Sequence, residues 1–588
     1  MRIALVSTPW PLFNRPSIQL GALKAFLSKR LPGLKVEAHH LYFQVAASLG
    51  YPLYEEISQS TWLAEPLYGA LLYPERSDFI EKFWKRKISR TKYCKQTPFG
   101  KICEILKRSA DEILSSIDWG EYQLIGFSIC LSQVTSSLYF ITQINKMAPH
   151  VPIVIGGSSC SDELGRSFLS SFPQITYVIQ GEGELPLLNL LRNLDQQTPG
   201  MLPTAQIANL DDLPAPDFED YFRALRHLGP DKRFFPKIPV EMSRGCWWNR
   251  CAFCNLNLQW KGYRSKSIEK MVAELKALSD KYQLLGFSFM DNLLPQKNIE
   301  SFFDRISTLN RDFELFAEIR ATTTQSTLQA MGKAGMREVQ VGVEALSSGL
   351  LRKINKGTTV IDNVEIMKNC ERPGFPSLTG NLIMEFPGSD EKDVNETLAA
   401  LDFVRPFRPL KAIPFWLGYG SPVWNNQGRY GIKSAFNHPY YRSIFPDKVF
   451  KSLLTMVQGY YGQVREQRRL WRPVKEKVAQ WTERYCTLHK GLPYEPILSY
   501  RDGGDFLIIR ERRSSAYPMT HKLKGTSRKI YLFCETQRNV KEITARFPSF
   551  SAGDIEAFLR MMVEKRLMFQ ERERYISLAV PYKTPVAR

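Results

Sequence analysis

The sequence feature that most constrains this chain is a group of three cysteines, Cys246, Cys251 and Cys254. Three of its ten cysteines fall within nine residues here, with the spacing C-x4-C-x2-C, and Phe253 precedes the last of them. Three thiolates on one tight loop can each bind one iron of a [4Fe-4S] cube, which leaves the fourth iron without a protein ligand. That open iron can chelate a small molecule through amino and carboxylate groups. The pattern therefore predicts a [4Fe-4S] cluster held by these three cysteines.

Two other interpretations of the cysteines stay open at this stage. A zinc site needs a fourth ligand, usually from a second C-x2-4-C unit. The sequence has no His or Cys between Cys254 and Cys370, and it has no second pair. Buried structural cysteines are the other interpretation, because free Cys packs as a small hydrophobe. The clustering of three cysteines directly after Gly245 favours the iron–sulfur cluster over both.

The overall composition is that of a globular, multidomain protein. A chain of 588 residues predicts several domains. No run of 18 apolar residues occurs, and the N-terminus MRIALVSTPWP lacks the organisation of a signal peptide. We therefore expect a cytoplasmic protein, with no membrane partner and with reduced cysteines rather than disulfides.

The net charge of +20 is concentrated near the C-terminus. Residues 441–588 carry 29 Lys and Arg against 15 Asp and Glu. A basic surface favours anionic partners, such as nucleic acid, acidic peptides and phosphorylated cofactors. Charge alone does not choose among them.

The N-terminal third alternates short apolar runs with amphipathic stretches. This alternation is typical of a doubly wound, Rossmann-like α/β sheet, which we predict for residues 1–205 with a partly helical insertion at 42–120. Ligands of such sheets bind at the carboxyl ends of the strands, and glycines there let the backbone approach a large flat ligand closely. A sheet without a ligand is the alternative. The residues predicted at those ends are Ser7, Ser128, Ser132, Gly156, Gly157, Gly181, Glu182 and Gly183.

A proline-punctuated linker at 206–235 precedes a second series of strand–helix units. Their repetition predicts a partial parallel (β/α) barrel over residues 236–410. Catalytic groups of such barrels lie at the C-terminal ends of the strands, although carboxylates there also form ordinary ion pairs. The strand-end residues in this region are Asp291, Asn292, Glu318, Arg320 and Glu344.

The C-terminal region is predicted to contain a helical lid and a small separate module. Residues 411–500 are aromatic and basic, and we predict helices at Asp447–Gln467 and Val474–Leu488. Residues 501–588 show short helices followed by a hairpin at Leu567–Leu578, which predicts a winged-helix-like module. Such modules bind DNA, and this one is also similar to the peptide-recognition domains of peptide-modifying systems; plain packing is the third alternative.

The cysteine stretch SRGCWWNRCAFC resembles the cluster loop of radical S-adenosylmethionine (radical SAM) enzymes, whose usual spacing is C-x3-C-x2-C. Within residues 1–200, PSIQLGALKAFL, GFSICLSQ, IVIGGSSC and GEGE follow the order of the cobalamin-binding domain fused to one class of these enzymes. With ALVSTPWPLF, YRSKS and MDNLLP added, the chain resembles the cobalamin-dependent radical SAM C-methyltransferases of RiPP maturation, which act on ribosomally made peptides. It departs from them in the longer first cysteine gap and in Asn255, where many members have glycine.

The resemblance implies three cofactors: a [4Fe-4S] cluster, S-adenosyl-L-methionine (SAM) and cobalamin as methylcobalamin. The D-x-H-x-x-G motif that ligates cobalt in many cobalamin enzymes is absent from the sequence, so no histidine ligand on cobalt is expected. The implied SAM contacts are Phe253, Asn292, Glu318, Arg320 and Glu344. The implied cobalamin contacts are Ser7, Gln19, Ser128, Ser132, Gln133, Gly156, Gly157, Gly181, Glu182 and Gly183.

In the implied reaction the cluster passes one electron to SAM, a 5′-deoxyadenosyl radical takes hydrogen from an unactivated carbon, and methylcobalamin methylates that carbon. The implied partners are a precursor peptide and a one-electron reductant such as flavodoxin or ferredoxin, with nucleic acid less favoured. Three alternatives stay open. They are rearrangement or cyclisation of a peptide or small molecule, RNA modification, and a non-enzymatic iron–sulfur winged-helix regulator.

Overall fold

The N-terminal part of the chain is built on a six-stranded parallel sheet. A computed structural model describes residues 1–490, 495–513 and 518–582. The strands of this sheet are β1 (Arg2–Ser7), β2 (Lys35–His40), β3 (Leu124–Ser128), β4 (Ile153–Gly156), β5 (Tyr177–Val178) and β6 (Gly200–Met201). Their spatial order is β2-β1-β3-β4-β5-β6, and all neighbours are parallel. Strand β1 is buried along nearly its whole length, as expected for a parallel strand with helices on both faces.

Ten helices accompany this sheet, and six of them lie in the long connection between β2 and β3. The sequence predicts only a partly helical connection, because its apolar residues recur at short, uneven intervals. The structure is helical along most of it. The helices are α1 (Ile18–Arg30), α2 (Leu41–Leu49), α3 (Tyr51–Ser58), α4 (Ala64–Leu72), α5 (Ser77–Lys85), α6 (Tyr93–Gln96), α7 (Phe99–Ser115), α8 (Val134–Met147), α9 (Glu163–Ser171) and α10 (Glu184–Arg192).

The strand order reverses at β1, which has β2 on one side and β3 on the other. In doubly wound sheets, ligands bind beside such a reversal, outside the carboxyl ends of the strands. The carboxyl ends of β3 and β4 are Ser128 and Gly156, and the two residues are paired across the strands. The predicted doubly wound fold is confirmed. The edge of the sheet where ligands of this fold bind is the one that carries Ser128 and Gly156.

A second sheet of six parallel strands forms a partial barrel. Its spatial order is β7-β10-β11-β12-β13-β14, where these are Ile238–Val240, Gly286–Phe289, Glu314–Arg320, Met336–Glu344, Ser377–Met384 and Lys411–Pro414. The strands follow each other in chain order, as in a (β/α) barrel, but number six rather than eight. Two short strands, β8 (Ser243–Arg244) and β9 (Arg264–Ser265), pair with each other outside this sheet. The predicted partial barrel is confirmed.

Six of the seven helices in this region accompany the barrel sheet, whereas the first, α11 (Glu219–Arg226), packs against β2 of the N-terminal sheet. Strand β7 and helices α13 and α16 below are not predicted from the sequence. Strand β7 is only three residues long, and α13 begins without a side-chain cap. Helix α16 does begin at a capping box of Thr359 and Asp362, a start signal that was missed in the sequence. The helices are α11 (Glu219–Arg226), α12 (Ile268–Tyr282), α13 (Ile299–Ser307), α14 (Gln325–Lys333), α15 (Ser348–Lys353), α16 (Val360–Asn369) and α17 (Glu391–Val404).

Residues 415–490 are only partly helical. The single helix predicted over Asp447–Gln467 is wrong, because the strand Val457–Tyr461 interrupts it. Its sequence VQGYY joins β-forming Val and Tyr to a glycine that weakens helices. The second predicted helix is present at Arg472–His489. The elements are β15 (Leu417–Gly418), α18 (Pro422–Asn425), β16 (Ser434–Asn437), α19 (Pro439–Arg442), α20 (Asp447–Ser452), β17 (Val457–Tyr461), α21 (Val464–Leu470) and α22 (Arg472–His489).

The last described residues form two small sheets around three helices. The elements are β18 (Leu498–Asp502), β19 (Phe506–Arg512), β20 (Pro518–Lys524), α23 (Gly525–Phe533), β21 (Arg538–Asn539), α24 (Val540–Arg546), α25 (Ala552–Glu564), β22 (Met568–Glu571), β23 (Arg574–Ser577) and β24 (Val580–Pro581). The hairpin β22–β23 follows the third helix, as the wing does in a winged helix. This wing packs against the barrel: the Glu571 carboxylate accepts a hydrogen bond from the Ile361 backbone N–H at 2.8 Å.

Among the described residues, no helix combines the length and the apolar character that crossing a bilayer would require.

The end of β4 gives a test of the N-terminal sheet. Gly157 has φ +101°, and a Cβ there would lie 2.6 Å from the carbonyl oxygen of Ile129. We expect Gly157→Ala to lower the free energy of unfolding by about 1–3 kcal/mol, because it combines backbone strain with a clash against fixed backbone. Thermal and denaturant unfolding measure this loss.

Gly100→Ala is the matched control for that substitution. Gly100 lies in α7, and no atom lies within 4 Å of its Cβ position. Alanine favours helix there, so stability should stay equal or rise slightly. Equal stability of Gly157→Ala and the unmutated chain would contradict the strain argument.

Candidate active site

The three cysteines lie on a loop that closes on itself at a two-stranded neck. In the pair β8–β9, Ser243 lies opposite Ser265 and Arg244 opposite Arg264. The loop begins at Gly245, which has φ +83°, and a Cβ there would lie 2.4 Å from the Gly262 carbonyl oxygen. Only glycine therefore fits where the two ends of the loop cross.

Backbone hydrogen bonds hold the cysteine loop from several directions. The Cys246 N–H donates to Asn257 Oδ1 at 3.0 Å, and the Ala252 N–H donates to the Ile354 carbonyl at 2.8 Å. The Cys254 N–H donates to the Cys251 carbonyl at 3.2 Å. The loop is thus anchored both internally and to the barrel, although its first cysteine gap is one residue longer than usual.

The three thiols are half-buried and close enough to influence one another. Burial raises the pKa of Cys254 to about 11, and the neighbouring Cys251 and Cys246 add to the rise. Burial also raises the pKa of Cys251, while Lys356 and Arg320 oppose the rise. No group of three His, Cys, Asp or Glu in the described residues is arranged around a single metal ion. A cubane cluster takes one thiolate per iron and needs no such convergence.

Asp291 secures the strand that leads into the cysteine loop. Its carboxylate accepts from the Met242 N–H at 3.1 Å and from the Ser243 hydroxyl at 2.6 Å, and it also accepts from the Ser243 N–H. All of its hydrogen bonds point back to β8 and the residue before it. Asp291 therefore positions the loop, although its strand-end location also suits a ligand contact.

Four charged groups gather at the neighbouring strand ends of the barrel. Lys356 Nζ lies 3.2 Å from the Glu344 carboxylate and 6.0 Å from the centroid of the Phe253 ring. Burial, with Glu344 and Asp291 nearby, raises the pKa of Glu318 to about 7. Glu344 itself has φ +61°, a strained backbone that is common at functional sites. Sequence patterns did not indicate Lys356, which follows α15 without a recognisable motif.

Arg320 stacks on the tryptophans of the cysteine loop. Its guanidinium carbon lies 4.4 Å from the centroid of the Trp248 ring and 5.3 Å from that of Trp247. Its Nη2 donates to the Lys356 carbonyl at 2.5 Å, whereas its buried Nε has no partner among the described residues. The buried Nδ2 of Asn292 is likewise without a partner there. Both N–H groups are available to a ligand.

A cavity of about 300 Å³ lies between the carboxyl ends of the N-terminal sheet and the neck of the cysteine loop. Its volume lies in the range of small-molecule and cofactor sites. The walls from the cysteine-loop side include Glu241, Arg244, Gln259 and Trp260, none of which was predicted as a site residue. The sequence-predicted residues that line it are Gln19, Ser128, Gly156, Gly157, Gly181, Glu182, Gly183 and Asn292.

Three predicted cobalamin contacts are not among the residues that line this cavity. The Gln133 amide donates to the Thr8 carbonyl at 2.6 Å and accepts from the Cys130 N–H, and it lies 3.4 Å from the Ser7 hydroxyl. Ser7 and Gln133 are buried. Ser132 occupies a left-handed turn at φ +69°. These three residues hold the loop after β3 rather than face the cavity.

Buried ion pairs join the neck to the N-terminal region. Arg244 donates from Nη1 to Glu182 at 2.9 Å, from Nη2 to Glu184 at 2.6 Å and from Nε to Glu241 at 3.0 Å. Arg264 also donates to Glu182. Both glutamates belong to the GEGE stretch and Arg244 to SRGC, but nothing local in either stretch indicates that they meet.

Comparisons with known proteins agree with this geometry. Residues 240–401 match the model of the radical SAM superfamily. An uncharacterized methyltransferase of Pyrococcus horikoshii, PH0819, is 28% identical over 297 residues, which is 46% of this chain and 62% of that relative. The curated relatives are matched over only 37% to 62% of their own length.

Two solved structures share the fold over most of the chain. The cobalamin-dependent SAM radical enzyme OxsB, with aqua-cobalamin and SAM bound, matches 83% of this chain and 67% of its own, with a TM-score of 0.52 and 13% identity. The radical SAM methyltransferase TsrM from Kitasatospora setae, with cobalamin and a [4Fe-4S] cluster bound, matches 82% and 88%, with a TM-score of 0.53 and 14% identity. The chain therefore contains a radical SAM domain, within a fold that it shares with cobalamin-dependent radical SAM enzymes.

Proposed function

We propose that this chain is a cobalamin-dependent radical SAM methyltransferase that methylates an unactivated carbon of a ribosomally made peptide. The observation that carries the proposal is the cavity between the N-terminal sheet and the neck of the cysteine loop. Strand ends that suit a flat cofactor form one wall, and residues that flank the three cysteines form the other. A cofactor on the sheet would therefore face the loop across one shared space.

The cysteine loop suits a cluster with one open iron. Cys246, Cys251 and Cys254 would each bind one iron, and the bonds from Asn257 and Ile354 to the loop limit its motion. When bound, the cluster and SAM would supply a radical that takes hydrogen from carbon, and cobalamin would supply the methyl group.

The strand ends of the barrel suit SAM, which carries both an amino and a carboxylate group. Glu344 and Glu318 offer acceptors for the amino group, and Lys356 offers a donor for the carboxylate. The buried Nδ2 of Asn292, just after β10, has no partner among the described residues and offers a further donor. Phe253 and Arg320 complete the set of SAM contacts that we propose. Arg320 and Lys356 are buried and the other residues half-buried, so limited contact with water strengthens the interactions of these charges.

The cavity residues suit cobalamin without a histidine on cobalt. Gly156, Gly157, Gly181 and Gly183 give the backbone close access, and Gln19 and Ser128 add polar contacts. None of the described residues that line the cavity is a histidine. Glu182 contributes through its ion pairs rather than as a free carboxylate.

Methylation is favoured over the alternative reactions by the names of two relatives. One is the Pyrococcus methyltransferase, and another is bacteriochlorophyllide d C-12(1)-methyltransferase of Chlorobaculum tepidum, which is 22% identical over 171 residues. Cyclisation is the second candidate, because an anaerobic magnesium-protoporphyrin IX monomethyl ester cyclase of Cereibacter sphaeroides is 24% identical over 280 residues. Transfer of labelled methyl from SAM into product separates the two reactions.

The C-terminal module supports a peptide as the substrate. Strand β20 is an edge strand with mostly exposed side chains, including Lys522 and Lys524. An extended peptide can add to such an edge through its backbone. The wing, in contrast, is docked on α16 through Glu571, which leaves it less available to a nucleic-acid groove.

The ligands of the cluster can be tested by substitution. Replacing Cys246, Cys251 and Cys254 together with Ala should reduce bound iron and sulfide from about four each per chain to near zero, because each thiolate holds one iron. Iron and sulfide assays after anaerobic reconstitution measure this. Cys486→Ala, at an exposed cysteine of α22, is the control and should keep the full content. A triple variant with a complete cluster would refute the assignment.

The cobalamin site can be tested by binding and spectroscopy. Chain purified from cells supplied with hydroxocobalamin should carry about one equivalent, because the cavity lies outside the carboxyl ends of the strands, where ligands of such sheets bind. The electron paramagnetic resonance (EPR) spectrum of its cob(II)alamin should show no coupling to a histidine nitrogen. Such coupling, or the absence of bound cobalamin, would contradict this part of the proposal.

The peptide surface can be tested by charge reversal. Lys522→Glu with Lys524→Glu should weaken binding of a labelled acidic precursor peptide roughly tenfold at low salt, because exposed charges steer and hold an anionic partner. Cluster content should not change. Lys101→Glu with Lys107→Glu on α7 makes the same change in net charge at another exposed site and should have little effect. Tight RNA binding by the unmutated chain without peptide binding would favour RNA modification.

A further inference from the structure

We infer that Glu182, Glu184, Arg244 and Arg264 are positioning residues that hold the cysteine loop at a fixed distance and orientation from the N-terminal cavity. We call these four residues the neck clamp. The inference rests on the proposed function for its consequence, since the clamp matters only if both sides of the cavity carry cofactors. The clamp itself is argued from geometry alone.

The clamp contacts the cysteine loop at its base, in the strand pair β8–β9. Arg244 and Arg264 lie opposite each other in the β8–β9 pair, and both donate to the carboxylate of Glu182. Cys246 follows Arg244 by two residues, so little backbone separates the clamp from the first cysteine. A shift of either arginine therefore moves the base of the loop.

The contacts of Arg244 leave it little freedom. Its three donor nitrogens each meet a different carboxylate, from Glu182, Glu184 and Glu241, at 2.6–3.0 Å. The planar guanidinium fixes the directions of these bonds, which an ammonium group would not. Trp260 covers one face of the guanidinium, with its ring centroid 5.6 Å away. Position and orientation of Arg244 are thus both determined.

Burial makes the clamp an unusual choice for stability alone. The side chain of Arg244 is 5% exposed, that of Glu182 is 0% exposed and that of Glu184 is 4% exposed. Taking such charges out of water costs most of what their attraction returns, and well-packed apolar groups often serve stability equally well. What charges in fixed directions add is a defined geometry, which suits a positioning role.

The clamp also contacts the linker that connects the two sheets. The backbone N–H of Ile207 donates to the Glu182 carboxylate at 3.1 Å. Arg264 donates to the backbone carbonyl of Ile207. Glu182 thus receives bonds from the neck and from the linker. Because Glu182, Glu184 and Arg244 also line the cavity, the clamp forms the part of its wall where the sheet edge meets the neck of the cysteine loop.

Other contacts join the two regions independently of the clamp. Lys24 of α1 pairs with Asp220 of α11, and the Lys237 N–H donates to the Asn14 carbonyl at 2.8 Å. The N–H of Ser267 donates to Asp211 of the linker at 2.8 Å. Loss of the clamp should therefore loosen the neck without separating the regions.

The test compares Arg244→Lys and Glu182→Gln with the unmutated chain, all carrying cluster and cobalamin. Amide hydrogen–deuterium exchange should be about tenfold faster in residues 243–265 of the variants. In the unmutated chain, local opening of this segment must break the ion pairs of the clamp, and in the variants this cost is lower. Pulsed EPR should show a single narrow distance between the reduced cluster and cob(II)alamin in the unmutated chain. The variants should show a broadened or shifted distance with unchanged iron and cobalamin content. They should also cleave more SAM per methyl group transferred.

Asp220→Asn is the matched control, since it breaks a part-buried ion pair between the N-terminal region and the linker helix α11, away from the neck. It should lower stability without changing exchange at 243–265 or the distance. If the clamp variants do not fold, Arg264→Gln, at the more exposed end of the clamp, takes their place. Clamp variants with unchanged exchange and distance would overturn the inference. An unmutated chain that binds no cobalamin would instead overturn the proposed function, and the exchange measurement on cofactor-free chain would still test the clamp.

Discussion

The arrangement of this molecule depends on one buried arginine, Arg244, and on the carboxylates around it. A guanidinium removed from water must satisfy its donors within the protein, and here three carboxylates from two parts of the chain do so. Glu182 and Glu184 come from the turn and helix after β5, whereas Glu241 lies three residues before Arg244. The ion pairs of Arg244 with Glu182 and Glu184 therefore hold the base of the cysteine loop against the N-terminal sheet.

The opposite side of the same short strand is fixed by Asp291, whose carboxylate receives its hydrogen bonds from Met242 and Ser243. The neck is thus fixed to both sheets, and Gly245 then turns the chain sharply into the loop. In contrast, the buried N–H groups of Asn292 Nδ2 and Arg320 Nε have no hydrogen-bond partner in the part of the chain that the structure describes. Unpaired buried donors are rare in proteins, and their position at the cavity and the strand ends matches a site that ligands complete.

Local patterns predicted much of this structure because its frame consists of short buried strands followed by helices. The doubly wound sheet and the partial barrel both have the fold that the alternation of strands and helices predicts. The prediction of one helix over Asp447–Gln467 was wrong, because β-forming residues in β17 and the pairing of β17 with β16 outweigh the surrounding helical pattern. Strand β7 was missed because three residues carry no periodicity.

The candidate site was predictable where its residues are neighbours in sequence and not where they are distant. The three cysteines could be singled out from their spacing, and the glycines after β4 and β5 from their place at the ends of predicted strands. Glu182 and Arg244 are 62 residues apart, and their pairing depends on how two domains pack. Lys356 reaches Glu344 only through the turn after α15. Ser7 and Gln133 look like ligand contacts in sequence, but their own mutual packing uses their polar atoms.

The turn between α15 and α16 gives the remaining link between the parts of the chain. Its first residues contact the cysteine loop, since the Asn355 carbonyl accepts from the Trp248 indole N–H at 3.0 Å and the Ile354 carbonyl accepts from the Ala252 N–H. Gly357 is essential to this approach, because a Cβ there would lie 2.0 Å from the Trp248 ring.

The helix that begins after this turn meets the C-terminal module at its first residues. Glu571 of the wing accepts from the Ile361 N–H there and satisfies a helix-end donor that would otherwise lack a partner. One segment of eight residues, 354–361, therefore contacts the cysteine loop at one end and the wing at the other. The module that we propose for peptide binding and the proposed cluster site therefore contact the two ends of one short backbone segment.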